Sequence, residues 1–448
     1  MTIRHAVAPG HDGPTFAPAR WDRCKLKYVA SIEGGCTPSK SNPDYWSGAI
    51  PWVSPKDMKV RVIRDSEDHV SEEALRDTSL RLIGSPVVLI VVRGMILAHT
   101  LPVAVTAAPV TINQDMKALR SRVGVSTEHL AYFLEGTATF VLSTMVEESA
   151  HGTKCLRADV WQDLSVLIPN LDEQRAIAAF LDRETARIDA LIDKKRRQIE
   201  LLHEKRAALI SHAVTRGLDP NAPMKDSGIA WLGPIPAHWL IKRFRFDLTS
   251  MEQGWSPQCD NSLAEPHEWG VLKVGCVNGT RFDESEHKRL PDDLEPRTVY
   301  EIKPGDILMS RANTTELLGS AVLVRKVRPR LLLCDKLYRI RIDPRSLDPE
   351  FVVYAFGSHA TRYQLERDAT GASASMKNIG QDTIKGLLMP RAPVDEQRHI
   401  VRGLNALCER MYQVVAKVCA SIDRLREYRT ALISAAVTGQ IDVRQEVA

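Results

Sequence analysis

The sequence predicts two mixed α/β (α+β) domains separated by two long helices. The helices are expected to pack as an antiparallel coiled coil about a pseudo-two-fold axis. Three observations predict this. A stretch beginning Asp172-Glu173-Gln174-Arg175 returns as Asp395-Glu396-Gln397-Arg398, offset by 223 residues. From Asp172 to Asp219, 20 of 48 positions are identical to their counterparts, too many for two unrelated helical segments. Each copy also follows a stretch of similar length rich in short β-type runs.

The repeated stretch has a seam. In the second copy Met411, Val415, Val418, Ile422, Leu425, Arg429 and Leu432 recur at alternating spacings of four and three. That seven-residue period turns one stripe toward a partner helix. Ile188, Ile192, Ile199, Leu202, Arg206 and Leu209 take matching places in the first copy, and neither stretch contains Pro. Antiparallel pairing puts the preceding domains at opposite ends; parallel pairing would crowd both at one end. Arg206 and Arg429 occupy equivalent seam positions. Either they fix register, or their stems pack while the guanidinium groups reach water. Lys194 to Arg197 is basic but surrounded by Asp189, Asp193, Glu200 and Glu204, which reads as a solvated face.

In chain order, residues 1–20 read as a flexible Pro/Gly/Ala tail. Residues 21–170 form the first domain, with strands at Val87–Val92, Met95–Leu97 and Val103–Val105, a helix over Thr127–Val146 and a last strand at Ser165–Ile168. The first helix region covers 171–217. A Gly/Pro-rich connector follows at 218–238, where Trp231 and the adjoining Trp239 serve as packing anchors. The second domain spans 239–392, with strands at Ile307–Met309, Ala321–Val324 and Leu337–Ile342 and a helix over Phe351–Gln364. Residues 393–440 are the second helix region, and 441–448 a C-terminal tail.

Composition limits the class. A hydrophobic content of 44% with 26% charged residues is that of a globular chain, long enough for about three domains. Net charge is only +4, so a nucleic-acid surface needs its bases clustered. The eight cysteines form no CxxC pair or zinc-spaced cluster, so structural metal is not expected and a reducing cytosol is. No apolar run is long enough to span a bilayer, and no signal-peptide core stands at the N-terminus. The expected location is the cytoplasm, with no membrane partner.

Taken together, several motifs resemble one family. These are the Asp-Glu-Gln-Arg repeats, the connector Asp226-Ser227-Gly228-Ile229-Ala230-Trp231-Leu232-Gly233-Pro234-Ile235-Pro236, the turn Pro304-Gly305-Asp306-Ile307-Leu308, and the end Ala431-Leu432-Ile433-Ser434 to Val443. Pro43–Trp46 and Ile50-Pro51-Trp52 add to them. The chain is similar to the specificity subunits of type I restriction–modification systems, over nearly its whole length. The resemblance implies two target recognition domains, each reading one half of a split double-stranded DNA site, and helices that set the gap. It implies two docked methyltransferase subunits and added motor-nuclease subunits. S-adenosylmethionine, ATP and Mg would then belong to those partners, with no cofactor in this chain. Thirty residues of helix span roughly 45 Å, comparable with a DNA turn of about 34–36 Å. The first domain departs from the second where Val91-Val92-Arg93-Gly94-Met95-Ile96-Leu97 stands in place of the Pro304 turn and strand.

Catalysis within this chain is not expected. Asn42-Pro43-Asp44-Tyr45 is close to the Asn-Pro-Pro-aromatic loop of adenine methyltransferases, but its third position is wrong and no Gly-rich cofactor turn accompanies it. Pro291-Asp292 with Glu301-Ile302-Lys303 mimics a nuclease metal motif, but the lysine runs straight into Pro304-Gly305. There is no phosphate-binding P-loop. What remains is binding. Arg325, Lys326, Arg328, Arg330, Lys336, Arg339, Arg341 and Arg345 face only Asp335 and Asp343, a run suited to phosphates. Candidates for base edges are Gln114, Lys117, His151, Thr153 and Lys154 in the first domain, and Arg311, Asn313, Ser373, Ser375 and Lys377 in the second. Rival readings are a coiled-coil scaffold without a DNA role and a self-contained methyltransferase or nuclease. A scaffold should bind every duplex alike with no salt dependence.

Overall fold

A computed structural model describes residues 18–149, 152–373 and 376–443, with the side chains of Ala372 and Ser373 left aside. His151 and Ser375 lie outside the described residues, as do 1–17 of the N-terminal tail and 444–448 of the C-terminal one. The chain divides into two compact units. Residues 1–195 and 419–448 form the first, and 196–418 the second.

The first unit holds a sheet in the order Ala30–Gly34, Met116–Ser121, Val88–Val91, Val103–Thr106, Val62–Ile63, antiparallel except for its last pair. A three-stranded sheet runs Asp68–Val70, Ile50–Val53, Thr111–Ile112. The second unit repeats both plans. Its four-stranded sheet runs Leu248–Gln253, Leu337–Ile342, Ile307–Ser310, Ala321–Leu323, and its three-stranded sheet His287–Arg289, Gly270–Leu272, Leu331–Leu332. In each three-stranded sheet the last pair is parallel. The central strands Val88–Val91 and Ile307–Ser310 are buried at every position, which explains their unbroken apolar or small character. A two-stranded frame closes each unit: Asp22–Lys25 with Ser165–Ile168, and Leu240–Arg243 with Leu388–Arg391.

Several expectations need correction. Met95–Ala98 is a 3-10 turn, not a strand; it follows Gly94, whose φ of 139° breaks the extended run. The counterpart of Ile307–Ser310 is Val88–Val91, so Val91–Leu97 does not replace the Pro304 turn. Each helix expected as one piece is two: Thr127–Gly136 with Ala138–Thr144, and Pro349–Phe356 with His359–Arg367. Hydroxyl groups mark both breaks. Thr137 Oγ1 donates back to the Phe133 carbonyl, and Ser358 Oγ accepts from the Thr361 amide as a new N-cap. Arg20, assigned to a flexible tail, pairs with Glu173 at 2.6 Å, and Val443 of the C-terminal tail is buried.

The long helices span Leu171–Arg216 and Val394–Val437, each crossing from one unit to the other. Their shared Asp-Glu-Gln-Arg motif is a clamp. Gln174 is fully buried; its Nε2 donates to the carbonyls of Pro169 and Gly124, and its Oε1 accepts from the Ser126 amide. Gln397 does the same with Ala392, Ser346 and the Asp348 amide. Ser126 and Asp348 are the N-caps of the helices that follow. Glu396 accepts from Trp239 Nε1 at 3.1 Å and lies 2.8 Å from His238 Nε2. The packing role given to Trp239 fits its zero exposure.

Seam positions fall unevenly. Ile188, Ile192, Met411, Val418, Ile422 and Leu432 are buried, and Ile199, Leu202, Val415 and Leu425 are half-buried. Leu209 is a correction: it is 36% exposed, while Ile210 is 7% exposed. Ile210, Ala213 and Val214 join the second unit's core beside Trp239 and Phe356, so the last turns face that core instead of continuing the seam. Arg429 is held by ion pairs. Its guanidinium meets Glu135 Oε1 at 2.6 Å and Asp189 Oδ1 at 3.2 Å. Arg206 lies over the Tyr412 ring, 5.2 Å from its centroid, with Nε 3.4 Å from Cys408 Sγ.

Candidate nucleic-acid interface

In the first unit, three loop segments are sewn together where the central strand ends. The amides of Val92 and Arg93 donate to the Asp115 carbonyl, Gly94 donates to the Lys154 carbonyl, and Leu156 to that of Val92. This brings Gln114 and Lys117 beside the hairpin of Val146–Glu148 and Lys154–Leu156. Gln114 is exposed and its Oε1 accepts from the Thr37 hydroxyl. Lys154 Nζ is 2.6 Å from Glu148 Oε2, and Thr153 closes the hairpin turn through bonds with Ser149.

The second unit uses the same stitches. Arg311 donates its amide to the Lys336 carbonyl, Ile379 donates to Arg311, and Ala312 and Asn313 pair with Asn378 and Lys377. Ser256 Oγ donates to Asp335 Oδ1 at 2.5 Å, as Thr37 does to Gln114. Both hydroxyls follow a glycine by two positions. A Cβ on Gly35 would lie 2.0 Å from the Ile112 carbonyl oxygen, and one on Gly254 would lie 2.1 Å from that of Leu333. Only glycine lets the backbone pass there.

Within the second corner, Asn313 Nδ2 donates to Asn278 Oδ1 at 2.9 Å, and Lys377 Nζ donates to the Gly371 carbonyl at 2.8 Å. Arg311 reaches the Asp335 carbonyl and lies 5.8 Å from the Tyr338 ring centroid; its Nε is buried without a partner among the described residues. Lys336 is exposed and has no ion pair among them. Ser373 ends the strand Thr370–Ser373. Thr37, Arg93, Ser256 and Asn278 escaped the sequence reading. The shared glycine-X-hydroxyl pattern at Gly35–Thr37 and Gly254–Ser256 was the available signal.

Most arginines of the basic run from Arg325 to Arg345 already hold partners within the fold. Arg325 pairs with Glu350 at 2.6 Å. Arg328 spends its guanidinium on the carbonyls of Glu268, Ala264 and Pro329, and burial pulls its pKa below the ordinary arginine value. Arg330 donates to the His267 carbonyl, Arg339 is buried against Glu252, Arg341 pairs with Asp306, and Arg345 with Asp343. Only Lys326 and Lys336 of the eight lack such partners among the described residues. The mimics of catalytic motifs are also occupied. Asn42 caps the turn Pro43–Trp46 by accepting from the Asp44 amide, and Asp292 pairs with Arg289 at 2.8 Å.

Comparison with known proteins finds relatives of this chain. Residues 18–201 match the type I restriction modification DNA specificity domain. The MjaIX type I specificity subunit of Methanocaldococcus jannaschii is 28% identical over 446 residues, covering 96% of this chain and 95% of its own length. The EcoEI specificity subunit of Escherichia coli is 27% identical over 205 residues, which is 45% of this chain and only 34% of that relative. The fold agrees with a solved chain described under complex assembly and conformational transition of the type I R-M system. That chain has a TM-score of 0.66 at 16% identity, covering 96% of this chain and 100% of its own. The chain is thus similar to type I restriction–modification specificity subunits over most of its length, and residues 18–201 carry the match to their DNA specificity domain.

Proposed function

We propose that the chain is the DNA-recognition subunit of a type I restriction–modification complex and performs no catalysis itself. Each unit reads one half of a split duplex site. The observation that carries this is the shared corner. Two units with the same sheet order end their central strands in the same three-segment stitch, and both present polar side chains there. Gln114, Lys117, Thr153 and Lys154 serve one half-site; Arg311, Asn313, Lys336 and Lys377 serve the other. Amide groups suit adenine, and cationic groups suit guanine or the adjoining phosphates.

The long helices act as the spacer and the dock for two methyltransferase subunits. Contacts within each unit support antiparallel packing. In the first, Asp189 meets Arg429, and Glu173 lies by the same small cavity as Gly439 and Val443. In the second, Arg206 meets Cys408, and Leu218 lies against Gly403. As one numbering rises the other falls, and the shared 223-residue offset supports a pseudo-two-fold relation. S-adenosylmethionine, ATP and Mg act on the partner methyltransferase and motor-nuclease subunits. No helix among the described residues is long and apolar enough to cross a membrane, and the proposed location is the cytoplasm.

The test is duplex binding by the chain reconstituted with its methyltransferase partner. Specific retention of one split sequence, weakening steeply with salt, is expected. Equal binding to every duplex would overturn the reading.

A further inference from the structure

The two units differ in charge at one place where their plans correspond. In the first, the Tyr132 hydroxyl donates to Asp182 Oδ1 at 2.6 Å. The Arg61 guanidinium sits 3.4 Å from the Tyr132 ring centroid and 2.8 Å from Glu135 Oε2. Arg429 takes the other oxygen of Glu135 and pairs with Asp189. Two guanidinium groups are thus held by three carboxylates of the same unit.

In the second unit, Tyr354 takes the place of Tyr132 and donates to Asn405 Oδ1 at 2.6 Å. Asn405 stands 223 positions after Asp182, Tyr412 stands 223 after Asp189, and Arg206 stands 223 before Arg429. Three residues after Tyr132 is Glu135; three after Tyr354 is Gly357. Every carboxylate of the first cluster is therefore replaced by a neutral residue, while the arginine remains. Arg206 rests on Tyr412 and Cys408 and has no ion pair among the described residues.

A cavity of about 590 Å³ opens at this spot, lined by Arg206, Arg281, Arg325, Lys326, Tyr354 and Tyr412 among others. Against four cations it contains Glu350, half-buried and paired with Arg325 while accepting from Asn405 Nδ2, and Glu409, paired with Arg281 at the surface. The lining carries a net charge of +2. The Tyr412 hydroxyl is buried without a partner among the described residues. Unmatched positive charge and an orphaned hydroxyl ask for an oxyanion. Tyr354, Tyr412 and Phe282 supply the apolar, aromatic wall that a planar ring packs against. The volume is that of a small-molecule site.

We propose that the second unit carries a binding cleft for a small oxyanion borne on a planar ring, of the nucleoside monophosphate class, where the first unit is closed by its own carboxylates. Arg206 and the Tyr412 hydroxyl hold the anion, with Lys326 adding charge at the rim.

Calorimetry on the purified full chain at low salt tests this without DNA, so it stands apart from the recognition reading. The probes are adenosine monophosphate, inorganic phosphate and adenosine. One equivalent of the monophosphate should bind at least tenfold tighter than either fragment. Arg206→Gln should weaken it at least tenfold. Tyr412→Asp, which restores the first unit's carboxylate, should abolish it while keeping the fold. Absence of monophosphate binding in the wild-type chain, or unchanged binding in Tyr412→Asp, would overturn the cleft. Equal affinity for phosphate alone would overturn the planar ring.

Discussion

Gln174 and Gln397 show what a repeated residue can be for. Both are buried with every amide function used, and each ties a long helix to the N-cap of another helix. Truncation leaves a buried backbone amide unpaired, which costs about 1–3 kcal/mol. Gln174→Ala and Gln397→Ala should each lower stability by that much without altering base preference, as read by chemical unfolding and duplex selection. His129 makes a second residue-scale prediction. Burial pushes its pKa down to about 4, with Nε2 3.3 Å from the Leu167 carbonyl. The unfolded imidazole titrates near about 6.5. Between those values the unfolded state binds more protons, so stability rises with pH across the window and is lost as pH falls from about 6.5 toward 4. The full effect is about 3 kcal/mol. His129→Phe, which copies the buried Phe351 of the second unit, should flatten that slope in urea titrations at a series of pH values.

At the scale of elements, the helices were legible because a seven-residue period and absent prolines survive in any context. The exception at Leu209 was not legible, since choosing between adjacent apolar residues requires knowing which core receives the last turns. Ile210→Ala should cost about 2–5 kcal/mol, as a core deletion does. Leu209→Ala should stay within about 0.5 kcal/mol. Thermal unfolding of the two variants side by side decides this. The helix breaks at Thr137 and Ser358 were hidden for a similar reason: a hydroxyl within an apolar helical pattern can point outward or bond back, and only packing chooses. The spacer reading adds its own prediction. Seven residues inserted after Arg197 should lengthen the tolerated gap between half-sites or abolish binding, and selection from a randomised-gap duplex library would read which.

The whole molecule was legible as two domains and two helices because the repeat carries its own ruler of 223 residues. The corners proposed for recognition were only half legible. Gln114, Lys154, Asn313 and Lys377 stand out from polar loop composition, but Thr37 and Ser256 come from distant segments that only the folded sheets bring close. The partners of the basic run were hidden for the same reason. Its arginines meet Glu252, Asp306 and Glu350 and carbonyls far away in sequence, so a local count of charge could not show which cations the fold engages.

The central claim is that each unit reads its own half of a split site. Mapping methylated bases in DNA modified by the reconstituted complex tests it most directly, with Gln114→Ala/Lys154→Ala and Asn313→Ala/Lys377→Ala as paired variants. Two short sequences at a fixed gap are expected, with the first variant relaxing one and the second relaxing the other. A single uninterrupted motif, or both halves relaxing together in either variant, would contradict it.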